Sequence, residues 1–311
     1  MTRLELTIRQ HFTFKGLRTL VTNLVSRCPM CQSVKHPMKQ YGLLPLVSPT
    51  IQEPFHTVAV DLVGPYTIHN HGRIYQLQCL TIIDICTRWI EIVSIPDKSS
   101  ETVSLAFDRN WLSRYPRPVR VIHDNGGEFA SEFAELLESY GIQNVPTTIK
   151  NPTANATLER THQVIQNTIR SLDIERIRLD TTDPFSGILA NTAFALRATV
   201  HTTLDASPAQ LVFGRDMIMH TTFTANWDRI RRRQLKRQVL DNKRENQRRI
   251  PHQYQVDEYV LIRNDDIRGK LTSPTFGPFR ILEVNDGVVL IERGNYTERI
   301  SIRRLIPFRS L

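Results

Sequence analysis

The order of apolar segments between residues 55 and 200 is the feature that most restricts the fold of this chain. Three runs rich in β-branched residues come first, at residues 56–63, 77–85 and 89–95, with short connections between them. Such runs predict an antiparallel meander of three strands. The apolar spacing then alternates between helical and strand periods, which predicts a mixed sheet with helices on its faces. The central part of the chain is therefore expected to be an α/β domain.

The alternating part shows helical spacing of apolar residues in four places and two short runs typical of buried strands. Predicted helices cover residues 102–114, 131–140, 155–172 and 184–199, and predicted strands cover residues 119–123 and 142–146. Residues 200–224 show no period and are expected to form an irregular connection.

The flanking segments differ in period from the central part. Apolar residues recur at helical spacing from Leu17 to Val25, so a helical segment is predicted within residues 1–40. Prolines then mark a linker at residues 39–54. From Pro251 the period changes to two, with turn signals between short runs, which predicts a small β-barrel. The predicted strands of this barrel are residues 256–262, 279–284, 288–291 and 299–302.

Positive charge is concentrated in one short segment. The whole chain carries a formal net charge of +9, and residues 229–249 contain ten Lys or Arg and two acids, a net charge of +8. A chain this basic points to a polyanionic partner, of which nucleic acid is the first candidate. The alternative for this segment is a solvated basic helix or a nuclear-import signal. The predicted phosphate contacts are Arg231, Arg232, Arg233, Lys236 and Arg237.

The sequence shows no signal for a membrane or for secretion. No run of 18 or more apolar residues occurs, and the first residues lack the apolar region and the cleavage site of a signal peptide. We therefore expect no membrane partner and no small-molecule cofactor, and we expect a nuclear location with a cytoplasmic stage.

Three acidic residues stand where a sheet could bring carboxylates together. Asp61 interrupts an apolar strand, Asp124 follows a second strand and precedes a glycine turn, and Glu159 lies early in a predicted helix. Their structural alternatives are an edge-strand residue facing solvent, an Asx turn that caps a strand, and a solvated helix residue. Two or three carboxylates can hold a pair of Mg²⁺ ions. Such a pair activates the attacking oxygen and stabilises the leaving oxygen in phosphodiester chemistry.

The three acids lie in motifs that resemble the catalytic core of retroviral and gypsy-type retrotransposon integrases. The motifs are VAVDLVGP, IHDNGGEF and NPTANATLERTHQVI, and the resemblance covers about residues 55–215. It implies a ribonuclease-H-like sheet on which Asp61, Asp124 and Glu159 hold two magnesium or manganese ions. It also implies DNA 3′-end processing and strand transfer, with DNA as the partner and a homo-multimer as the working form. Asp84 resembles a family position without a catalytic role and is interpreted as structural.

The segment around the third acid departs from the family pattern. Asp124 and Glu159 are separated by 34 residues, one fewer than the family usually has, and Ala156 stands where relatives often have glycine. Neither change removes a metal ligand, although Ala156 would stiffen a hinge. Asn155 resembles a position that approaches the DNA end, with a helix N-cap as its alternative, and Arg160 is assigned to DNA contact beside it.

Cys28 and Cys31, in RCPMCQ, match the family's N-terminal zinc module, in which two histidines precede two cysteines. Here His11 alone precedes Cys28, so the histidine pair is missing. Structural zinc takes four ligands, and His11 or His36 would have to substitute. An incomplete zinc site is therefore expected.

The C-terminal segment TFGPFRI, residues 275–281, resembles the glycine-proline-aromatic module that follows the core in gypsy-type integrases. Its alternative is a generic small barrel with a Gly-Pro turn. The predicted regions are a partial zinc-module-like helical segment at 1–40, an integrase catalytic core at 55–215, a basic linker helix at 225–249 and a small C-terminal β-barrel at 250–311.

Two alternatives to an active integrase remain. One is another enzyme on the same sheet, a cut-and-paste transposase or a ribonuclease H, which the CxxC and the Gly-Pro-Phe argue against. The other is a catalytically inactive nucleic-acid-binding relic of an integrase. The missing histidine pair keeps the relic open, and the complete triad argues against it.

Replacing Arg231, Arg232 and Arg233 with glutamine is expected to weaken binding to all DNA sequences alike, because phosphate contacts carry no sequence information. The dissociation constants of duplexes with unrelated sequences, measured at one salt concentration, check this prediction. A loss confined to one sequence would contradict it.

Overall fold

The computed structural model describes residues 3–34, 39–45, 53–146, 162–167, 179–264, 273–285 and 287–309. These residues form two units. The core unit is Ser48–Gln238, and the terminal unit combines Met1–Val47 with Val239–Leu311.

The elements are numbered along the chain. The strands are β1 Gln40–Tyr41, β2 Thr57–Asn70, β3 Arg73–Asp84, β4 Ile90–Ser94, β5 Arg120–His123, β6 Gln143–Pro146, β7 Arg249–Ile250, β8 Tyr259–Arg263, β9 Thr275–Asn285, β10 Val288–Arg293, β11 Tyr296–Ser301 and β12 Leu305–Pro307. The helices are α1 Arg3–Arg9, α2 Leu17–Arg27, α3 Pro29–Val34, α4 Ser100–Phe107, α5 Glu132–Ser139, α6 Ser186–Ala198, α7 Pro208–Phe213 and α8 Trp227–Asn246. Residues 162–167 are also helical. None of the helices described has the length and apolar character that a membrane span requires.

The core unit is built on a five-stranded sheet in the order β4-β3-β2-β5-β6. β2, β3 and β4 are antiparallel neighbours, whereas β5 pairs in parallel with both β2 and β6. This arrangement confirms the predicted meander and the mixed α/β sheet. β2 and β3 are longer than predicted, because the chain reverses only at His71 and Gly72, where both residues have positive φ and close a two-residue hairpin.

Alternation along β2 sends side chains to two apolar layers on opposite faces of the sheet. Val58 lies in one layer, together with the fully buried Phe107 of α4 and Phe133 of α5. Ala59 lies in the other layer, which contains Ile165 of the helical segment 162–167 and residues of α6. Helical elements therefore contribute to the apolar layers on both faces, as the sequence pattern predicts.

The predicted helix 102–114 changes its winding part-way. Asp108–Leu112 form a π-helical turn after α4, in which Ser113 N–H donates to Asp108 O over 2.9 Å. The wider turn accompanies the complete burial of Trp111. Apolar periodicity predicts a helix here but does not distinguish the hydrogen-bond spacing of an α-helix from that of a π-turn.

A short helix, α7, lies within residues 200–224, so the prediction of an irregular connection there is wrong in part. Ser207 and Gln210 form a capping box, with Pro208 at the first helical position. Gly214 ends the helix with a left-handed backbone. These start and stop signals stand in the sequence, but six residues are too few to show a helical period.

The terminal unit contains an antiparallel sheet in the order β11-β10-β9-β8-β12. Its core includes Ile262, Ile281, Val289 and Ile300, all of them buried. The antiparallel strands are confirmed, but β11 and β12 are the edges of the sheet, and no pairing between these two strands closes it within the described residues. The barrel expected from the sequence is therefore not shown. β12 is three residues long and carries no period of its own.

A buried arginine joins the N-terminal and C-terminal parts of the terminal unit. β1 pairs in parallel with β7, and the guanidinium of Arg249 donates to the main-chain oxygens of Tyr41, Gly42 and Ile302. The Arg249 side chain is fully buried. Residues 40–41, which the sequence analysis places in the linker, thus belong to a paired strand.

The N-terminal segment is helical, as predicted, but the helix does not continue into the CxxC. α2 ends at Arg27, and Cys28 has an extended backbone because Pro29 follows it. Pro29 then occupies the first position of α3, where a proline is tolerated. Cys31 lies within α3.

Two substitutions in α4 test the assignment of its buried face. Phe107→Ala is expected to lower the free energy of unfolding by about 3–5 kcal/mol, because it removes a fully buried ring. Leu105→Ala, at a side chain 46% exposed in the same helix, is expected to cost roughly 0.5 kcal/mol. Urea unfolding of both variants measures the difference, and equal losses would show that the helix faces are assigned wrongly.

Candidate active site

Two of the three predicted acids lie at the same level of neighbouring strands. β2 and β5 run in parallel with Val58 opposite Val121 and Ala59 opposite Ile122. Asp61 stands two residues beyond Ala59, and Asp124 stands two residues beyond Ile122. Continued by two residues, the register of the parallel pair sets these two acids level with each other at the end of β5.

The Asp61 carboxylate is held at the surface of the second apolar layer. Ala59 and Asp61 point to the same face of the sheet, because side chains alternate along a strand. The carboxylate is about one-fifth exposed, and Leu62 N–H donates to its Oδ1 over 2.8 Å. β2 is not an edge strand of the sheet, because β3 and β5 flank it, but its pairing with β5 ends at Ala59 and Asp61 lies two residues beyond it.

His162, a residue that the sequence analysis did not single out, packs beside Asp61. Its Nε2 lies 3.1 Å from Thr81 Oγ1, and its Nδ1 lies 3.9 Å from Asp61 Oδ2. Thr81 Oγ1 donates in turn to the main-chain oxygen of Asp61 over 2.9 Å. The signal that could have revealed His162 is its place three residues after Glu159 in LERTH, on the same predicted helix.

The two ring nitrogens of His162 face an oxygen of Thr81 and an oxygen of Asp61. Burial lowers the pKa of the His162 imidazole to about 4, so the ring is neutral at pH 7. The ring thus fixes Thr81 without adding a positive charge beside Asp61.

Asp124 lies in the turn that follows β5 and is exposed. Gly126 N–H donates to Asp124 Oδ1 over 3.3 Å, the Asx turn foreseen as its structural alternative. The preceding His123 is buried, and its Nδ1–H donates to the Asp124 main-chain oxygen over 2.5 Å. His123 Nε2 lies 2.5 Å from Asn144 Oδ1 in β6. The main chain of Asp124 is therefore anchored while its carboxylate faces solvent.

The remaining residues of the third motif, Asn155, Glu159 and Arg160, lie outside the described residues, and their positions stay predictions. Within the described ranges, no group of three or more His, Cys, Asp or Glu side chains is arranged to hold a metal ion. Asp61 and Asp124 nevertheless suit Mg²⁺ or Mn²⁺, because these ions prefer carboxylate oxygens to nitrogen or sulfur ligands.

Asp84 is buried and organises the turn between β3 and β4. Its carboxylate accepts hydrogen bonds from Thr87 N–H at 2.9 Å, from Thr87 Oγ1 at 2.6 Å and from Cys86 N–H at 3.3 Å. Burial raises the pKa of Asp84, and the Thr87 hydrogen bonds oppose that rise. These contacts explain the acid without a catalytic role, in agreement with its structural interpretation.

The described part of the predicted zinc module contains the two cysteines and one histidine. Cys28 lies between α2 and α3, Cys31 lies in α3, and both are half-buried. His11 is exposed after α1, and His36 lies outside the described residues. The incomplete zinc site stays a prediction.

The predicted DNA contacts of the basic segment lie on α8. Arg231, Arg232, Lys236 and Arg237 are exposed there, whereas Arg233 is half-buried. Arg233 differs from the others because its guanidinium donates to Asp205 Oδ2 and to Thr202 O, each over 2.9 Å.

Lowering the pH from 7 to 4 is expected to reduce the free energy of unfolding of the metal-free protein through His162. The unfolded chain binds this proton near pH 6.5 and the folded chain only near pH 4, so the unfolded state takes up more protons in this interval. The stability is present above pH 6.5 and is lost towards pH 4, by at most about 3 kcal/mol.

Urea unfolding across this pH range, with a chelator present, measures the effect. His162→Gln is expected to lack this component. His69→Gln is the matched control, because His69 is exposed on β2 and its replacement leaves the buried imidazole in place. An unchanged pH dependence in His162→Gln would show that this ring does not titrate between the two values.

Sequence comparisons place the chain among known mobile-element proteins. Residues 52–152 match the family model described as "Integrase core domain". The chain is 23% identical over 329 aligned positions to the retrovirus-related Pol polyprotein from transposon 412 of Drosophila melanogaster, covering 97% of this chain and 26% of the relative. It is 27% identical over 213 positions to the Gypsy retrotransposon integrase-like protein 1 of Homo sapiens, covering 66% of this chain and 38% of the relative. The chain thus spans about a quarter to two-fifths of these relatives.

A solved structure has a similar fold along nearly the whole chain. It is the simian T-cell lymphotropic virus intasome in complex with the PP2A regulatory subunit B56 gamma, with a TM-score of 0.61, 15% identity and coverage of 97% of both chains. At that identity the likeness shows the fold alone. The family model and the two relatives add similarity in sequence. Residues 52–152 therefore match an integrase core domain, and the chain is similar to gypsy-type retrotransposon and retrovirus-related proteins.

Proposed function

We propose that this chain is an integrase that trims DNA 3′ ends and joins them to target DNA, with divalent metal ions held by Asp61, Asp124 and Glu159. The observation that carries the proposal is the parallel register of β2 and β5, which sets Asp61 level with Asp124. Both acids fall inside the matching integrase core domain. Glu159 is assigned by its motif.

The carboxylates suit a pair of Mg²⁺ or Mn²⁺ ions, as the resemblance implies. When bound, such a pair would activate the attacking oxygen and stabilise the leaving oxygen. Asp61 Oδ1 accepts the Leu62 N–H, so the carboxylate has a fixed orientation before any ion binds. Asp124 Oδ1 accepts the Gly126 N–H, which leaves Oδ2 for a second interaction.

The neighbours of Asp61 keep its main chain and side chain in place. The Thr81 hydroxyl holds the main-chain oxygen of Asp61, and the neutral His162 ring holds Thr81. A neutral ring adds no positive charge beside Asp61 that would repel a cation. Hydrogen bonds that fix the neighbours of a metal-binding group in this way also orient that group.

The proposed reaction has two displacements at phosphorus and no redox change. In the first, water loses a proton and forms a P–O bond near the DNA end, and the bond to the leaving 3′ oxygen breaks. In the second, the new 3′ hydroxyl loses its proton and forms a P–O bond in the target strand, while the target's own P–O3′ bond breaks. The departing 3′ oxygen takes a proton in both steps.

The partners follow from the substrate. DNA ends and target DNA are the proposed ligands, and the basic residues of α8 supply sequence-independent phosphate contacts. Two DNA ends are joined to one target in such a reaction, which fits a homo-multimer. A nuclear site of action is proposed together with the target DNA.

A strand-transfer assay tests the function. The 311-residue chain, with a short blunt duplex, a plasmid target and Mg²⁺, is expected to give joined products. Glu159→Gln, Asp61→Asn and Asp124→Asn are each expected to reduce the joining to background, because each removes one charged metal ligand. Glu138→Gln, at an exposed acid of α5, is the matched control and should retain the wild-type yield.

The outcomes separate the proposal from its rivals. Joining that survives Glu159→Gln would remove this residue from the metal site. Salt-sensitive DNA binding without any joining, in wild-type protein that is folded, would favour the catalytically inactive relic. A variant with two histidines placed ahead of Cys28 then shows whether an incomplete zinc site accounts for the absence of joining.

A further inference from the structure

The first turns of the basic helix α8 belong to the core unit and pack against other residues of that unit. Ile230 is 5% exposed and lies in an apolar cluster with Leu204, Ala206 and Leu211. Trp227 packs against the same cluster. One face of the helix is therefore covered at this point, and the basic residues of the first turns cannot all face the same way.

An aspartate beside this cluster holds two of the arginines. Asp205 has a left-handed backbone, with φ of 61°. Its Oδ2 accepts from Arg229 Nη2 at 2.8 Å and from Arg233 Nη1 at 2.9 Å, and Arg233 Nη2 donates to Thr202 O at 2.9 Å. Arg229 and Arg233 are four residues apart, so they reach one carboxylate from the same side of the helix.

Arg232 and Lys236 lie beside Arg229 and Arg233 around the helix, on the side away from Ile230. At 3.6 residues per turn the two pairs are turned from each other by about 60°, and Arg232 and Lys236 are about 6 Å apart along the helix axis. Both are exposed. Arg232 Nε donates to Asp228 O at 3.2 Å, which uses one of the five N–H donors of its guanidinium.

We propose that Asp205 divides the first turns of α8 into an anchoring pair, Arg229 and Arg233, and a DNA-backbone pair, Arg232 and Lys236. The partner of the DNA-backbone pair is the phosphodiester backbone of duplex DNA, which the local charge complements without regard to sequence. This inference rests on the proposed function. It reassigns Arg233, which the sequence analysis counts among the DNA contacts, to the attachment of the helix.

Two charge-matched double variants test the division. Arg232→Gln with Lys236→Gln and Arg229→Gln with Arg233→Gln each remove two positive charges from neighbouring turns. Binding of the 311-residue chain to a short blunt duplex is measured at a series of salt concentrations, and the slope of log Kd against log salt counts the phosphate contacts. Circular dichroism confirms that both variants are folded.

The DNA-backbone variant is expected to lose about 2 units of slope, roughly 0.9 for each phosphate contact. The anchoring variant is expected to keep the wild-type slope. Equal losses in the two variants would mean that net charge alone matters, and a larger loss in the anchoring variant, or no loss in either, would also overturn the division. If the anchoring variant does not fold, Arg233→Gln and Lys236→Gln give the same comparison with single charges.

The strand-transfer assay keeps this inference separate from the proposed function. If the two variants differ in slope as expected but the wild-type protein joins no ends, the function is overturned and the division is supported. Wild-type protein that joins ends while the two variants show equal slopes would support the function and overturn the division.

Discussion

The parallel pairing of β2 with β5 is the constraint on which the candidate site depends. β2 lies between β3, its antiparallel partner, and β5, its parallel partner. A slip of one residue in the parallel pair would turn the side chains of one strand to the opposite face. The apolar residues on both faces resist such a slip, because Val58 and Ala59 belong to different buried layers. Apolar packing, rather than a contact between the two acids, therefore sets the register that holds Asp61 opposite Asp124.

The protein holds its acids in place with contacts of different kinds. Asp61 is oriented by a side chain from β3 and by a histidine from a helical segment, so its surroundings come from distant parts of the chain. Asp124 is oriented by its immediate neighbours, with His123 on its main chain and Gly126 on its carboxylate. Asp84, the third strand acid described, is buried and accepts hydrogen bonds from Thr87 and Cys86 in the adjoining turn and from the main chain of Phe55. Burial with full hydrogen bonding thus separates a structural acid from acids that stay accessible to a cation.

The sequence predicted those features that depend on local periodicity. The meander, the mixed sheet, and the positions of Asp61 and Asp124 follow from runs of apolar residues and from where those runs end. The π-turn before Ser113 was missed, because apolar spacing does not report hydrogen-bond spacing. The roles of His162 and Arg249 were missed because each depends on partners far along the chain, which no local pattern shows. The capping box at Ser207 can be recognised in the sequence, but the helix that it begins is too short to show an apolar period.

The arrangement of the terminal unit has a consequence for the order of events during synthesis. The core unit is continuous in sequence, whereas the terminal unit joins Met1–Val47 to Val239–Leu311 across about 190 residues. Closing so long a loop carries an entropic cost that only later contacts can offset. The ribosome must also release β7 before β1 has its partner and before Arg249 reaches the oxygens of Tyr41 and Gly42. β1 therefore waits for β7, while the core unit, which lies between them in sequence, can fold.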